Sequence, residues 1–189
     1  MIEQHPFPPF LPSRARLLML GTFPPAPKRW CMEFYYPNYT NDMWRIFGIC
    51  FFGDQMHFVK PSERTYDLDA IVAFLRQQGI ALFDTATRVI RTKNTASDKD
   101  LQVVEPTDLS ALLRQLPQCM AVATAGQLAT TMACSHFGIA EPRVGEFVPF
   151  TFEGRQLRLY RMPSSSRAYP LAVEKKAAEY QKIFNYIAP

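Results

Sequence analysis

Residues 17–21 read Leu-Leu-Met-Leu-Gly, an unbroken apolar run closed by Gly21 and, three residues on, by the cluster Pro24, Pro25 and Pro27. A short continuous run between breakers predicts a strand buried on both faces, as strands of a parallel sheet are. Similar runs recur at residues 80–83 and 120–124, and residues 156–160 read as a fourth strand. Helical periods separate them. Residues 42–52 carry Met43, Trp44, Ile46, Phe47, Cys50 and Phe51 on one broad face, and residues 66–78 place Leu68, Ile71, Val72 and Leu75 in register before Gly79 stops the helix. Further helices are expected over 107–115, capped by Thr107, over 126–137, and over 171–186, where Val173, Ala177, Tyr180, Phe184 and Ile187 mark the apolar side. Strands alternating with helices predict a three-layer α/β/α sandwich around a mainly four-stranded parallel sheet.

A chain of 189 residues suits one well-cored domain and is short for two. We expect a proline-rich N-terminal arm over residues 1–16, packed on the surface or loosely ordered, and a single domain over 17–189. Hydrophobic content of 48% with 20% charged residues is ordinary globular usage, so disorder is not expected. The net charge of +4 is compatible with an anionic partner without specifying one. No secretory signal and no membrane-length apolar run is visible. Cys31, Cys50, Cys119 and Cys134 form no CxxC pair, and we read them as reduced thiols of a cytoplasmic protein. Their spacing resembles no iron–sulfur ligand run, and Cys50 and Cys134 fall on apolar helix positions. His5, His57 and His136 are isolated and read as surface or packing residues. No metal site and no cofactor is expected.

Open α/β sheets bind ligands beyond the carboxyl ends of their strands. The loop after the first strand lies there and is crowded with Phe23, Trp30, Phe34, Tyr35, Tyr36 and Tyr39, flat faces suited to stacking a planar heterocycle. Tyr35 is the better core candidate of the tyrosine pair. Asp84 follows the second strand, as a site residue or as the cap of a turn. Residues 85–106 form a long, polar, basic stretch, expected to be a functional or mobile loop. After the fourth strand, Pro163, Ser164, Ser165, Ser166 and Arg167 make either an ordinary polar loop or a phosphate grip. No GxSxG elbow surrounds these serines, so a serine-nucleophile hydrolase is not indicated. Basic residues outside 88–99 and 155–167 read as solvated faces.

Together the motifs resemble a known family. GTFPP followed by YYPNYTNDMW resembles the first motif of the uracil-DNA glycosylase superfamily, and most nearly the hypoxanthine-DNA glycosylase branch, whose pattern is similar to GSxP…YYxHPRNxFW. GIALFD, RTKNTASD with a later PTDL, TAGQLA and MPSSSRAYP follow in the same order, the last similar to that branch's PSTSPAN. The resemblance implies a monomeric, cofactor-free enzyme of DNA repair, nucleoid-associated if bacterial. Such an enzyme flips a deaminated or damaged base out of DNA and hydrolyses its N-glycosidic bond. It places Tyr36 on the aromatic that stacks on the base and Asn41 on the proposed catalytic asparagine. Thr22, Phe23 and Asp84 fall around the base, and Ser164, Ser165, Ser166 and Arg167 on the loop that grips DNA.

The pattern also departs from the family. Phe23 stands where mismatch-specific uracil glycosylases carry a water-positioning asparagine. Asn38-Tyr39-Thr40-Asn41 replaces HPRN, and Arg167 and Tyr169 replace the usual proline and asparagine. Asn41 is also a preferred residue for a helix N-cap, and the two roles are compatible. Two other readings remain at this point: a nucleic-acid-binding relative without catalysis, and a hydrolase of free nucleosides or nucleotides.

Overall fold

The computed structural model describes residues 1–93 and 95–189; Asn94, within the TKNTASD stretch, lies outside the described residues. Its strands are β1 (Ile2–Gln4), β2 (Leu17–Gly21), β3 (Val59–Lys60), β4 (Thr65–Tyr66), β5 (Ile80–Asp84), β6 (Ala86–Arg91), β7 (Leu101–Pro106), β8 (Ala121–Ala125), β9 (Phe147–Phe152) and β10 (Arg155–Met162). The helices are α1 (Met43–Phe52), α2 (Leu68–Gln78), α3 (Leu109–Arg114), α4 (Gln127–Phe137) and α5 (Val173–Ile187).

The central sheet has the order β5-β2-β8-β10-β9. β5, β2, β8 and β10 are parallel, in the register Leu17↔Ile80, Leu17↔Ala121 and Arg158↔Ala121. These are the four expected strands. Every residue of β2 and β5 is buried, which is why both read as continuous apolar runs. The sheet also has a fifth strand that was not expected, β9, which pairs antiparallel with β10. Pro149 breaks the apolar pattern there, and an edge strand tolerates proline because one side needs no amide donor.

Phe47 and Phe51 of α1, Phe74 of α2 and Phe184 of α5 pack ring against ring in one helical layer, Phe47 to Phe184 at 5.1 Å and Phe51 to Phe74 at 4.7 Å. α3 and α4 meet through Ser110 and His136, whose hydroxyl and Nε2 lie 2.8 Å apart. The α/β/α class is therefore as expected. Among the described residues no helix is long and apolar enough to cross a membrane.

Residues 85–106 are not the structureless loop expected from their polarity. β6 and β7 form an antiparallel hairpin, and β1 joins it to give the sheet order β1-β6-β7. Few of their residues are buried, and the exposed ones mix Gln102 and Glu105 with Val104 and Pro106, so no regular alternation marks the strands. The N-terminal segment is tied down rather than loose. β1 pairs with β6, and Phe10 exchanges backbone bonds with Leu82 at 3.0 and 2.9 Å. Thr107 does not cap α3. Asp108 does, accepting from the Ala111 amide, while the Thr107 hydroxyl donates to the Asp84 carbonyl at 2.6 Å.

The basic stretch 155–167 also changes meaning. Arg155 donates to the carbonyls of Leu113 and Leu116 at the end of α3, and Arg158 lies over the rings of Phe147 and Tyr186 at 4.2 and 4.0 Å. Arg161 bonds Gln127 and the Pro142 carbonyl. These three arginines are structural, which leaves Arg167 as the exposed cation at that end.

Candidate active site

β2, β5, β8 and β10 end side by side, and their carboxyl ends frame a cavity of about 130 Å³. That is well below the roughly 300 Å³ of a drug-sized site and matches a single heterocycle in scale. Its walls include Thr22, Phe23, Tyr36, Asn41, Asp84, Ser164, Ser165, Ser166 and Arg167, the residues that the family resemblance placed at the site, whereas Trp30, Phe34 and Tyr39 of the aromatic loop do not line it. A wider, open groove of about 560 Å³ adjoins it across Phe23, Pro24 and Pro25, lined on its far side by Glu3, Gln4, Thr92 and Lys93.

Gly21 and Asp84 close the floor. A Cβ at Gly21 would stand 2.7 Å from Asp84 Oδ1, so the carboxylate fits over the end of β2 only because position 21 has no side chain. The other oxygen, Oδ2, lies 2.8 Å from His5 Nε2, and both side chains are almost fully buried. His5 Nδ1 faces the Phe7 carbonyl at 2.8 Å, and the imidazole packs against Phe23, Tyr35 and Phe83. His5 is thus a packing residue, one of the two readings its isolation suggested, and it stands behind Asp84 at the edge of the site. Only the pairing of β1 with β6 delivers it there.

The aromatic loop supplies one wall. Tyr35 belongs to the core and donates its hydroxyl to the Pro8 carbonyl at 2.7 Å. Tyr36 adopts φ +51°, an uncommon conformation for a residue with a large side chain, and its ring meets Trp44 edge-on at 6.0 Å. Its hydroxyl is buried and has no hydrogen-bond partner among the described residues. Burial, with Asp84 nearby, holds the phenol well above its ordinary pKa, so it remains a neutral donor.

Asn41 stands at the start of α1. Its Oδ1 accepts from the Met43 amide at 2.9 Å, so the carboxamide serves the first amide of α1 in the manner of a cap, one residue ahead of the N-cap position, which Asp42 occupies. With the oxygen engaged, the amide nitrogen is the group left to donate into the cavity. The next residue joins α1 to the serine loop: the Asp42 amide donates to the Ser165 carbonyl at 2.9 Å. The Asp42 carboxylate receives Lys176 Nζ at 3.0 Å and Arg167 Nη2 at 3.3 Å, and Lys176 also donates to the Ser166 carbonyl at 2.8 Å. Within the serine loop the Ser166 amide donates to Ser164 Oγ, and the Ala168 amide to Ser166 Oγ.

Thr22 donates its hydroxyl to Asp98 Oδ2 at 2.8 Å. Asp98 enters from the turn between β6 and β7 and was not singled out from sequence, although its TKNTASD stretch was. Nothing in the local pattern distinguishes it from Asp100, which instead bonds Thr95. Burial is the main influence on the Asp98 carboxyl and raises its pKa; the Thr22 hydroxyl opposes this, Asp84 adds to it and Arg91 opposes it. Arg91 is itself held by Glu3, with both contacts at 3.1 Å, and by the Pro24 carbonyl.

The chain is thus an α/β/α sandwich with a small polar-and-aromatic pocket at the ends of four parallel strands. The fold is shared with a protein of solved structure. A solution NMR structure of a Methanosarcina acetivorans protein, provisionally designated a uracil DNA glycosylase, matches over 99% of this chain and 99% of that one, with a TM-score of 0.65 and 20% identity. No family model matches the chain, and no curated protein matches it.

Proposed function

We propose that this protein is a monofunctional, cofactor-free DNA glycosylase. It would act as a monomer on a deaminated or damaged base, hypoxanthine or uracil, flipped out of DNA. The observation that carries this reading is the convergence of the motif residues on one cavity at the strand ends. Flipping costs a few kcal/mol, which pocket contacts repay. Tyr36 offers a ring face, and base–aromatic stacking is worth about 1–3 kcal/mol. The amide of Asn41 does not titrate near neutrality, so it orients water or the base rather than abstracting a proton. The N-terminus of α1 beside it adds partial positive charge that favours an electron-rich leaving base. Ser164, Ser165, Ser166 and Arg167 supply hydroxyl and guanidinium donors for the flanking phosphates.

The experiment is incubation with oligonucleotides carrying single deoxyinosine, deoxyuridine or deoxyxanthosine, followed by detection of abasic sites. Release of one of these bases supports the reading. Retained DNA binding with no release favours a second reading, a binding protein without catalysis. Two observations speak for that alternative: the Asn41 oxygen is engaged as a cap, and Arg167 is drawn to Asp42.

A further inference from the structure

We propose that Asp98 is the general acid of this pocket, giving its carboxyl proton to the base as the glycosidic bond breaks. This rests on the glycosylase reading above and adds a catalytic residue that the sequence motifs did not identify.

Two carboxyl groups line the cavity, and their surroundings differ. Asp84 has an imidazole partner, His5 Nε2, at 2.8 Å. Asp98 has a hydroxyl partner, Thr22, at 2.8 Å, and no cation within salt-bridge reach among the described residues. The groups around it come from several elements: Asp84 from β5, Arg91 from β6, Tyr36 from the aromatic loop, and His5 behind Asp84. The Arg91 guanidinium is committed to Glu3. On the turn that bears Asp98, Lys99 is exposed and Asp100 is engaged by Thr95 and Lys93. A Cβ at Gly126 would lie 3.9 Å from Asp98 Oδ2 and 4.0 Å from Ser164 Cβ, so the carboxyl sits between the end of β8 and the serine loop. Burial raises the Asp98 pKa, in keeping with a group that holds its proton. Two carboxyls with different partners, a hydroxyl for Asp98 and an imidazole for Asp84, are an arrangement in which one site can hold both an acid and a base.

The step balances as follows. The bond from C1′ to the base nitrogen breaks and leaves its electron pair on the base. The Asp98 O–H bond breaks and its proton bonds to the base, which departs neutral. Water adds its oxygen to C1′, and the proton it loses passes to the Asp84 carboxylate. Exchange with solvent then returns a proton to Asp98 and removes one from Asp84.

The test is single-turnover release of uracil and 5-fluorouracil from DNA, and of hypoxanthine, as a function of pH, for the wild-type protein, Asp98→Asn and Asp98→Glu. The wild-type rate should fall about tenfold per pH unit above the pKa of Asp98. Asp98→Asn should lose that limb and about 10²-fold of the rate. Its loss should be about tenfold smaller for 5-fluorouracil, whose stabilised anion departs without protonation. Asp98→Glu should keep the limb at a shifted pH. An Asp98→Asn protein within about threefold of wild type, or one that keeps the falling limb, overturns the proposal. If the amide variant does not fold, an unshifted limb in Asp98→Glu overturns it equally. Wild-type protein that releases none of these bases refutes the glycosylase reading and the proposal with it, whereas an active wild type with an indifferent Asp98 refutes the proposal alone.

Discussion

Lys176→Met should destabilise the protein by about 3 kcal/mol, because it strands a buried carboxylate. Lys176 is 0% exposed, and the Asp42 side chain it meets at 3.0 Å is 8% exposed. Removing one partner of a buried pair costs about 3–5 kcal/mol, since the remaining charge keeps its desolvation penalty. Arg167 stays within 3.3 Å of Asp42, but its side chain is 55% exposed, and such a partner returns at most about 1 kcal/mol. The Ser166 carbonyl also loses the ammonium it accepts from at 2.8 Å, while the methionine methylenes keep most of the packing. For a chain of this length, 3 kcal/mol lowers the melting temperature by roughly 6–12 °C. Urea denaturation of the single variants and of the Lys176→Met/Asp42→Ala double variant would measure the coupling. The double variant should recover at least about 1 kcal/mol relative to the sum of the two single losses. A Lys176→Met protein within about 1 kcal/mol of wild type, or strictly additive losses, would refute the reasoning.

Three further outcomes are expected. Tyr36→Phe should be neutral or stabilising, by up to about 1 kcal/mol, because the hydroxyl it removes is buried without a partner, whereas Tyr36→Ala should lose about 1–3 kcal/mol of lesion binding with little change for undamaged duplex; a large loss of stability in Tyr36→Ala with lesion discrimination unchanged would assign the ring to the core alone. Asn41→Ala should lower single-turnover cleavage at least about tenfold and also cost about 1 kcal/mol of stability through the lost bond to the Met43 amide; cleavage at the parental rate, with stability matched, would leave Asn41 only the cap. Arg167→Ala should weaken binding to all DNA sequences alike and reduce the salt slope by about one unit, as measured by titration at several salt concentrations, and an unchanged slope would place the phosphate contacts elsewhere.

How much of this was legible in the chain depends on where each signal resides. The runs at Leu17, Ile80 and Ala121 read directly as strands because burial on both faces leaves no polar alternation to interpret, whereas the strand at Leu157 shows the alternation of a half-buried one. The helices of 68–78 and 127–137 end at Gly79 and Gly138, both with positive φ, and those stops were visible as glycines. The hairpin of β6 and β7 was not visible, because few of its residues are buried and no regular alternation marks its strands. Strand β9 escaped because Pro149 breaks the run and only its place at the sheet edge permits it.

Local pattern thus determined the parallel sheet, the helices that cross it and the loops that meet at its carboxyl end, because each follows from burial and backbone geometry within a few residues. The tertiary structure alone decided the charges of the site. His5 meets Asp84 across 79 residues, Thr22 meets Asp98 across 76, and Lys176 meets Asp42 across 134. No periodicity encodes such pairings. They arise when packing brings distant polar groups together out of water, where a buried charge or carboxyl is tolerable only beside a partner.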